Sequence, residues 1–379
     1  MGLECERYHM SEGPLRGVKV LEFASIGPGP FVGMMLSDMG ADVLRIERMG
    51  ATDPIPERFD ARGRLAIELD LKLPCTVQLC LALCDNAEIL IEGNRPGVME
   101  RLGLGPDAVL TRNPRILYGR MTGWGQTGPN ASYAGHDINY LSLSGALHAI
   151  GTENKPLPPL NLGADYGGGA MILIAGLLAG MIHARATGQG QVVDAAMTDG
   201  AAYLMTYFHG MHAAGRWSDR RRSNLLDGGA PFYDTYECAD GKWISVGALE
   251  SKFYALLLDK MGLTERLSQP QMDRNSWHEI KKTLCEVFAT RTRDEWCHLL
   301  EHTDACFAPV LSMAEALEHA HNRARDTFVA VNGIIQPAPA PRFSKTPSRL
   351  QSPPAPIFRN TRQALEAWGV SDATLDSLP

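Results

Sequence analysis

Short apolar segments of β type alternate with helical segments through the first third of the chain. Strand-like runs lie at residues 18–24, 42–47, 66–71, 88–92 and 116–121, and helical patterns fill most of the intervals between them. Strands that alternate with helices indicate a parallel sheet with helices on its faces. We therefore predict an α/β fold with a large, doubly wound parallel-sheet domain, in which ligands bind beyond the carboxyl ends of the strands.

The first β–α–β unit has a glycine-rich turn. The turn reads I-G-P-G-P-F-V-G, and Glu47 follows about 20 residues later, which gives the outline of a dinucleotide-binding fingerprint. Pro28 and Pro30 remove two amide donors from the loop that would hold a pyrophosphate, and helix initiation explains a proline there. A nicotinamide-dependent enzyme is therefore a minor alternative.

The chain changes character after residue 215. A polar, basic run, R-W-S-D-R-R-R-S-N, precedes a hairpin-like pair of strands at 232–237 and 242–247 and three helical segments. We interpret residues 225–325 as a smaller α+β domain, and the three arginines at 220–222 as part of a solvated loop. The proline-rich tail beyond this domain predicts an extended segment that wraps a surface.

Composition limits the classes of function. The 379 residues are 45% hydrophobic and 21% charged, with a formal net charge of -7, which is typical of a globular chain and disfavours a nucleic-acid partner. The eight cysteines form no C-x-x-C pair. Cys80 and Cys84, four positions apart in a predicted helix, indicate buried free thiols in a reducing compartment rather than a zinc or other metal site.

Targeting and membrane signals are not evident. The N-terminus has no long apolar run and predicts no signal peptide, and the C-terminal D-S-L-P lacks the peroxisomal signal. The longest apolar run, residues 170–182, predicts a buried helix too short to cross a bilayer. We expect a cytoplasmic protein without a membrane partner.

Candidate chemistry is concentrated between residues 121 and 169. His136 and Asp137 lie in a turn-rich segment, and Asp165 precedes Y-G-G-G and an apolar helix. A lone His is most often a hydrogen-bonded structural residue, and an Asp before a helix is most often an N-cap. Three adjacent glycines favour a close backbone approach, and free amides at that helix start would stabilise an oxyanion. The segment thus contains candidates for an acid, a base and an anion stabiliser.

Several blocks of sequence resemble one family when they are read in order. They are P-L-R-G-V-K-V-L-E-F-A-S-I-G-P-G-P, G-A-D-V-L-R-I-E-R, I-E-G-N-R-P-G-V-M-E-R-L-G-L-G, M-T-G-W-G-Q-T-G-P, A-G-H-D-I-N-Y, P-P-L-N-L-G-A-D-Y-G-G-G and P-F-Y-D-T-Y-E-C-A-D-G. The chain resembles the family III CoA-transferases (CaiB/BaiF), and among them the α-methylacyl-CoA racemase branch, over nearly its whole length.

This resemblance implies an architecture and a reaction. Residues 14–215 would form the large CoA-binding domain, residues 326–379 would return to complete it, and two copies of the chain would interlock as a homodimer. The implied substrate is an acyl-CoA thioester, with no separate cofactor. The implied reaction interconverts (R)- and (S)-2-methylacyl-CoA thioesters by proton transfer through an enolate.

Four residues acquire implied roles. By position, His136 and Asp165 match the family's proton-transfer groups, Asp137 its neighbouring acid, and Glu250 an acid of the small domain. Inversion at carbon 2 needs two groups in different protonation states, one on each face of that carbon. The amides at Asp165 and the following glycines are expected to bind the enolate oxygen, and Asp137 is expected to orient the imidazole.

A further set of residues is implied for CoA. Its members are Ile26, Arg48, Leu69, Asp70, Leu71, Lys72, Gly93, Asn94, Arg95, Arg101, Gly135 and Tyr140. Arg48 and Arg101 suit phosphate contacts, because guanidinium groups match phosphate oxygens in geometry and charge. The segment R-F-D-A-R-G-R at 58–64 has fewer basic residues than close racemases, so the contact for the 3′-phosphate is unassigned.

Two rival functions stay open. In a CoA-transferase of the same fold, Asp165 would be a nucleophile that forms an acyl anhydride; His136 and Glu250 favour the racemase branch. A non-catalytic acyl-CoA binder would have the same motifs, and only a measured activity excludes it.

Overall fold

The structure is a computed structural model and describes residues 12–358, 361–368, 370 and 372–375. The chain divides into two compact units. The first contains the described residues up to 144, 159–205 and those from 326 onward, and the second contains 145–158 and 206–325. Residues 145–158 and 206–215 thus belong to the second unit, although the prediction put them in the large domain.

The first unit is built on a six-stranded parallel sheet with strand order β3-β2-β1-β4-β5-β6. Its strands are β1 (Lys19–Phe23), β2 (Asp42–Arg48), β3 (Arg64–Leu69), β4 (Ile89–Glu92), β5 (Leu117–Thr122) and β6 (Gln191–Ala196). The order reverses between β1 and β4, which is the position where doubly wound sheets open a crevice for ligands at their carboxyl ends. The predicted α/β class is confirmed.

Helices cover both faces of this sheet, and all helices are numbered in chain order through both units. Those of the first unit are α1 (Pro28–Asp38), α2 (Pro74–Cys84), α3 (Val98–Arg101), α4 (Pro106–Arg112), α5 (Asp137–Leu143), a π-helix (Leu162–Ala170), α7 (Met171–Thr187), α8 (Met197–Leu204), α15 (Thr361–Ala367) and α16 (Asp372–Leu375). Prolines begin α1, α2 and α4, where the fixed φ of proline suits a first turn that needs no internal amide donor.

Alternate residues of β1 define the two faces. Leu21 and Phe23 point into a core that includes Leu79 of α2, Val109 of α4 and Leu365 of α15. Glu22 between them is fully buried and points to the opposite face, beneath Gly33 of α1. The C-terminal segment therefore packs on the large sheet, and Phe358 extends this contact by donating its amide to Ala66 at 2.7 Å.

The tail is less extended than its proline content predicts. A short antiparallel hairpin, β10 (Phe328–Val331) and β11 (Ile334–Pro337), opens it, and α15 and α16 follow near the end of the described chain. The buried thiols of Cys80 and Cys84 agree with the sequence prediction. Burial raises the pKa of Cys84 to about 12.

The second unit has a three-stranded antiparallel sheet, β7 (Tyr233–Glu237), β8 (Trp243–Gly247) and β9 (Phe307–Pro309). Its helices are α6 (Ala146–Ala149), α9 (Thr206–Ala213), α10 (Ser251–Lys260), α11 (Trp277–Phe288), α12 (Arg293–Leu300), α13 (Met313–Glu318) and α14 (Ala320–Ala324). An aromatic core holds it together, with Tyr236 stacked on Phe288 and Trp296 against the same ring. The predicted hairpin is present.

Two arginines of the basic run are structural residues of the second unit. The Arg221 guanidinium donates to three backbone carbonyl oxygens, those of Thr152 at 2.7 Å, His148 at 2.9 Å and Glu153 at 3.3 Å. These bonds attach residues 145–158 to this unit. Arg222 forms an ion pair of 2.5 Å with Asp234. The solvated-loop prediction is therefore wrong for Arg221 and Arg222.

The π-helix and α7 form one continuous apolar helix. It spans Leu162–Thr187, 26 residues, and by length and composition alone it could cross a membrane, whereas the sequence run had predicted too short a segment. Half of its most apolar window is buried. Leu173 and Leu177 of α7 pack over Gly119 of β5, where any side chain would crowd them.

Candidate functional site

A carboxylate joins the two segments that contain the predicted proton-transfer groups. Asp137 is the first residue of α5 and is only 5% exposed. Its Oδ2 accepts the backbone amides of Ala164 at 2.7 Å and Asp165 at 2.8 Å, both in the first turn of the π-helix. Because His136 precedes Asp137 in the chain, these bonds bring the imidazole segment and Asp165 to one site. We call this pair of bonds the Asp137 clamp.

His136 precedes α5 in an extended conformation. Its amide donates to Asn139 Oδ1 at 3.0 Å, and its carbonyl accepts the Asn139 amide at 2.8 Å, so the backbone is held from both sides. The residue itself is exposed. The helix start therefore fixes the backbone of His136 and leaves the residue open to the surface.

Asp165 is half-buried within the π-helix. Burial raises the pKa of its carboxyl group, and the nearby charge of Asp137 raises it further, against a hydrogen bond from Asn161 (3.4 Å) and the field of His136. A methyl group added to Gly27, at the start of α1, would contact Asp165 Oδ2 at 3.5 Å. Sequence reasoning missed Asn161, although its place before an apolar helix start was a usable signal.

The glycines after Asp165 serve helix packing. A Cβ atom on Gly200 of α8 would overlap the Gly168 carbonyl oxygen, and a Cβ on Gly168 would approach the Ala201 amide nitrogen to 2.6 Å. The close backbone approach predicted from the glycine run is present, but the partner is α8. A π-helix is a rare form that is frequent at functional sites, and this packing fixes the one that contains Asp165.

Two predicted roles need correction. The Asp165 amide donates to Asp137 Oδ2, so the prediction that it binds an enolate oxygen is wrong. Gly167, Gly168 and Gly169 lie inside the helix, where amides serve the helix itself. Asp137 Oδ2 accepts two amides, and Oδ1 is buried with no partner among the described residues. The contacts of Asp137 thus position Asp165 and include no bond to the imidazole.

Tyr140 stands one turn after His136 on α5. Its ring is 5% exposed and meets Trp124 edge to face at 4.8 Å, and methyl groups on Gly123 or Gly135 would overlap that ring. Burial raises the pKa of the Tyr140 phenol to about 12, and the charges of Asp165 and Asp137 contribute. Gly135 and Tyr140, two of the residues implied for CoA, therefore belong to the same site as the clamp.

Four other residues implied for CoA line one cleft of about 820 Å³ beside the carboxyl ends of β1, β2 and β4. They are Ile26, Arg48, Leu71 and Asn94. Ile26 is 83% exposed, and Arg48 is exposed with no ion pair to any described residue. The cleft is thus open to solvent. Ile26 gives it an apolar edge, and the guanidinium of Arg48 can bind an anion there.

The remaining residues of the CoA set lie outside that lining. Leu69 is buried in the sheet core, and Asp70 Oδ1 accepts the Lys72 amide at 3.0 Å. Gly93 packs against Ser25, since its Cβ would meet that side chain at 2.9 Å. Lys72, Arg95 and Arg101 are exposed and follow β3 or β4.

The arginines at 58–64 are each engaged by a carboxylate. Arg58 pairs with Asp60 at 2.8 Å, Arg62 with Asp38 at 2.5 Å, and Arg64 with Glu22 at 2.9 Å. Glu22 also receives Arg45, a cleft residue that sequence reasoning missed. These pairs neutralise the segment.

Glu250 belongs to the second unit. It precedes α10, where its carbonyl accepts the amides of Phe253 and Tyr254 at 3.0 Å, and the residue is exposed. No group of three or more His, Cys, Asp or Glu residues that could hold a metal ion occurs in the described part of the chain.

The fold and the site define a class of protein. A doubly wound sheet that places an imidazole segment and a carboxyl group of raised pKa at its carboxyl edge is suited to moving protons or acyl groups. The model of CoA-transferase family III matches residues 15–359, and the chain belongs to this family. The resemblance drawn from the sequence blocks is confirmed.

Two relatives and one solved structure are similar to the chain over most of its length. The chain is 44% identical to the alpha-methylacyl-CoA racemase of Mus musculus over 360 residues and 41% identical to that of Homo sapiens over 364, with 94% of each chain covered. The crystal structure of Rv3272 from Mycobacterium tuberculosis superposes with a TM-score of 0.78 at 26% identity, over 94% of this chain and 99% of that one.

The glycine contact between the π-helix and α8 gives a stability test. Gly200→Ala should lower the Tm, because overpacking of this kind typically costs about 1–3 kcal/mol. Gly210→Ala is the matched control in α9, where a new Cβ meets nothing within 4 Å; it should leave the Tm unchanged or raise it, since alanine favours helix. Equal Tm values for the two variants, measured by calorimetry, would contradict the packing role.

Proposed function

We propose that this protein is an isomerase that interconverts (R)- and (S)-2-methylacyl-CoA thioesters. The supporting observation is the Asp137 clamp, which joins the segments of His136 and Asp165 across the twenty-eight positions of chain that separate these two residues. The relatives named alpha-methylacyl-CoA racemase, at 41% and 44% identity, point to the same reaction.

The chemistry requires one group to remove the proton at carbon 2 and another to return a proton to the opposite face. The C–H electron pair moves into the thioester to form an enolate, and no separate cofactor is needed. His136 and Asp165 supply the two groups in this proposal. The raised pKa of Asp165 supports the role, because a carboxyl pKa closer to neutrality is better matched to exchanging protons with an imidazole.

The cleft lined by Ile26, Arg48, Leu71 and Asn94 is the proposed seat of the CoA moiety. Arg48 is exposed and has no described ion-pair partner, so it can meet a phosphate at a smaller desolvation cost than the paired arginines at 58–64. Arg95 and Arg101 are exposed after β4 and would also contact the CoA phosphates in this proposal.

The transferase alternative uses the same carboxyl group differently. Asp165 would attack the thioester carbon, release CoA and hold the acyl group as a mixed anhydride. The half-buried position of Asp165 suits that reaction as well. Only a measurement that separates proton transfer from CoA transfer decides between the two.

Deuterium uptake at carbon 2 of 2-methylacyl-CoA in D2O, without any carboxylic acid acceptor, is the deciding measurement. The wild type should exchange, and His136→Ala should lose more than about 10²-fold in rate, because positioned acid–base groups contribute that much, while still binding the thioester. His183→Ala, which removes an exposed histidine of α7, should exchange as the wild type does. If CoA instead moves to added acids without exchange, the transferase assignment replaces ours.

The charge of Asp137 predicts a shift in the pH profile. In the direction in which Asp165 acts as the base, kcat/KM falls as Asp165 becomes protonated. Because the pKa of Asp165 is raised, the acid limb of the kcat/KM pH profile should lie at a higher pH than the ordinary aspartate pKa. Asp137→Asn keeps an oxygen for the clamp and removes one cause of the raised pKa, so the limb should move to lower pH. Asp137→Ala breaks the clamp and should lower kcat more than about tenfold through misplacement. An unmoved or higher limb in the Asn variant would contradict this account.

We also propose that the protein assembles as a homodimer. The first unit exposes large apolar side chains, among them Leu160 (70%), Leu162 (59%) and Ile182 (72%), and such surfaces commonly mark association sites. Sedimentation equilibrium should give twice the chain mass, and Ile182→Glu should shift it toward one chain. A wild-type mass of one chain at micromolar concentration would exclude the dimer.

A further inference from the structure

The loop that follows β5, residues 123–126, is anchored to α8 and β6. The Gly123 carbonyl oxygen accepts two hydrogen bonds from Thr198 of α8, one from its amide at 3.0 Å and one from its hydroxyl at 2.8 Å. At the other end of the loop, the Gln126 amide donates to Asp194 Oδ2 at 3.3 Å. Since α8 also packs on the π-helix through a glycine contact, it supports both this loop and the helix of the reacting carboxyl group.

The Trp124 ring extends from this loop and packs on the segment that precedes α5. A Cβ atom on Gly135 would lie 2.8 Å from Trp124 Cζ2 and 2.8 Å from Tyr140 Cε1, so both rings contact the Gly135 backbone closely. A Cβ atom on Gly123 would overlap the Tyr140 ring. The two rings meet edge to face with their centroids 4.8 Å apart. Each segment thus contributes one ring and one glycine, and neither glycine has room for a side chain.

This contact lies one residue before the imidazole. Gly135 is bonded in the chain to His136, whose own backbone hydrogen bonds to Asn139 lie within the start of α5. Those bonds fix His136 relative to its helix and do not attach it to any other element. The Asp137 clamp attaches the segment to the π-helix, and the Trp124 ring packs it against the loop after β5. The backbone of His136 is therefore held from two sides.

The contribution of Trp124 is one of packing. Its indole nitrogen is buried and has no hydrogen-bond partner among the described residues, so the ring is not held there by a polar contact. A residue that acts through packing can be replaced by another ring at a small loss, whereas removal of the ring leaves a cavity into which the neighbouring segment can shift.

We propose that Trp124 is a positioning residue for His136, whose ring holds Gly135 and thereby keeps the imidazole at the distance from carbon 2 that proton transfer needs. Misplacement of a reacting group by about 1 Å can lower the rate about 10²-fold, even when the cause lies far from the chemistry. In this account Trp124 does not touch the reacting atoms and acts only through the segment of His136. The inference rests on the proposed isomerase function.

A double-mutant cycle between Trp124 and His136 tests the proposal. Trp124→Ala should lower kcat for deuterium exchange at carbon 2 about 10²-fold, with KM changed less than about threefold, because Trp124 lies outside the lining of the CoA cleft. In the His136→Ala background the same change should lower the residual rate less than about threefold, since the group to be positioned is gone.

Two further variants separate positioning from loss of the fold. Trp124→Phe keeps a ring and removes no hydrogen bond, so it should recover most of the kcat lost in Trp124→Ala. Trp243→Ala is the matched control, because it removes an exposed tryptophan of β8 in the second unit; it should exchange at the wild-type rate. If Trp124→Ala does not fold, as judged by circular dichroism, Trp124→Leu takes its place in the cycle with an expected loss of at least about tenfold.

The outcomes distinguish this proposal from the function on which it rests. Wild-type exchange together with full, multiplicative losses in the cycle overturns the positioning role alone. An undiminished kcat in the folded Ala or Leu variant, or a change confined to KM, does the same. A wild type that moves CoA to added acids without exchange overturns the isomerase function itself.

Discussion

Two hydrogen bonds to one buried carboxylate hold the candidate site together. Asp137 Oδ2 receives the first-turn amides of the π-helix at 2.7 and 2.8 Å. Bonds to a charged acceptor contribute about 1.5–3 kcal/mol each, and losing a buried partner costs more than the mean bond. The clamp explains why His136 and Asp165 belong to one site although α5 and the π-helix are separate elements. It also ties the proton affinity of Asp165 to the charge of its neighbour.

The wall of the nearby cleft is organised by paired charges. Glu22, buried beneath α1, accepts Arg45 and Arg64, Arg45 also pairs with Glu47, and Arg58 pairs with Asp60. Burying ions is costly unless each finds a counter-ion, so this set is nearly neutral and cannot also bind a dianion without losing a partner. In the proposed function, recognition of CoA phosphates thus falls to exposed cations such as Arg48. The three arginines at 58–64 are each paired with a carboxylate of the protein, so none of them is available for a phosphate.

Much of the fold was predictable because strand and helix periods are local properties of sequence. The five predicted strands of the first third correspond to β1–β5, and the βαβ alternation indicated the parallel sheet. The site was less predictable. The sequence places Asp165 before a helix, but the π-helix begins three positions earlier. The Asp165 amide that looked free donates to Asp137 instead, and the glycine amides lie inside the helix. Arg221 looked solvated because its partners are backbone carbonyls more than sixty positions away.

The clamp joins two segments of the first unit that are separated in the chain by a segment of the second unit. Between α5 and the π-helix the polypeptide leaves the first unit for the fourteen positions 145–158 and then returns. Both ends of this excursion are joined by Asp137, so insertions or deletions within it need not disturb the spacing of the reacting groups. The clamp therefore sets no length for the excursion, whereas a substitution at the carboxylate removes the two hydrogen bonds that join its ends.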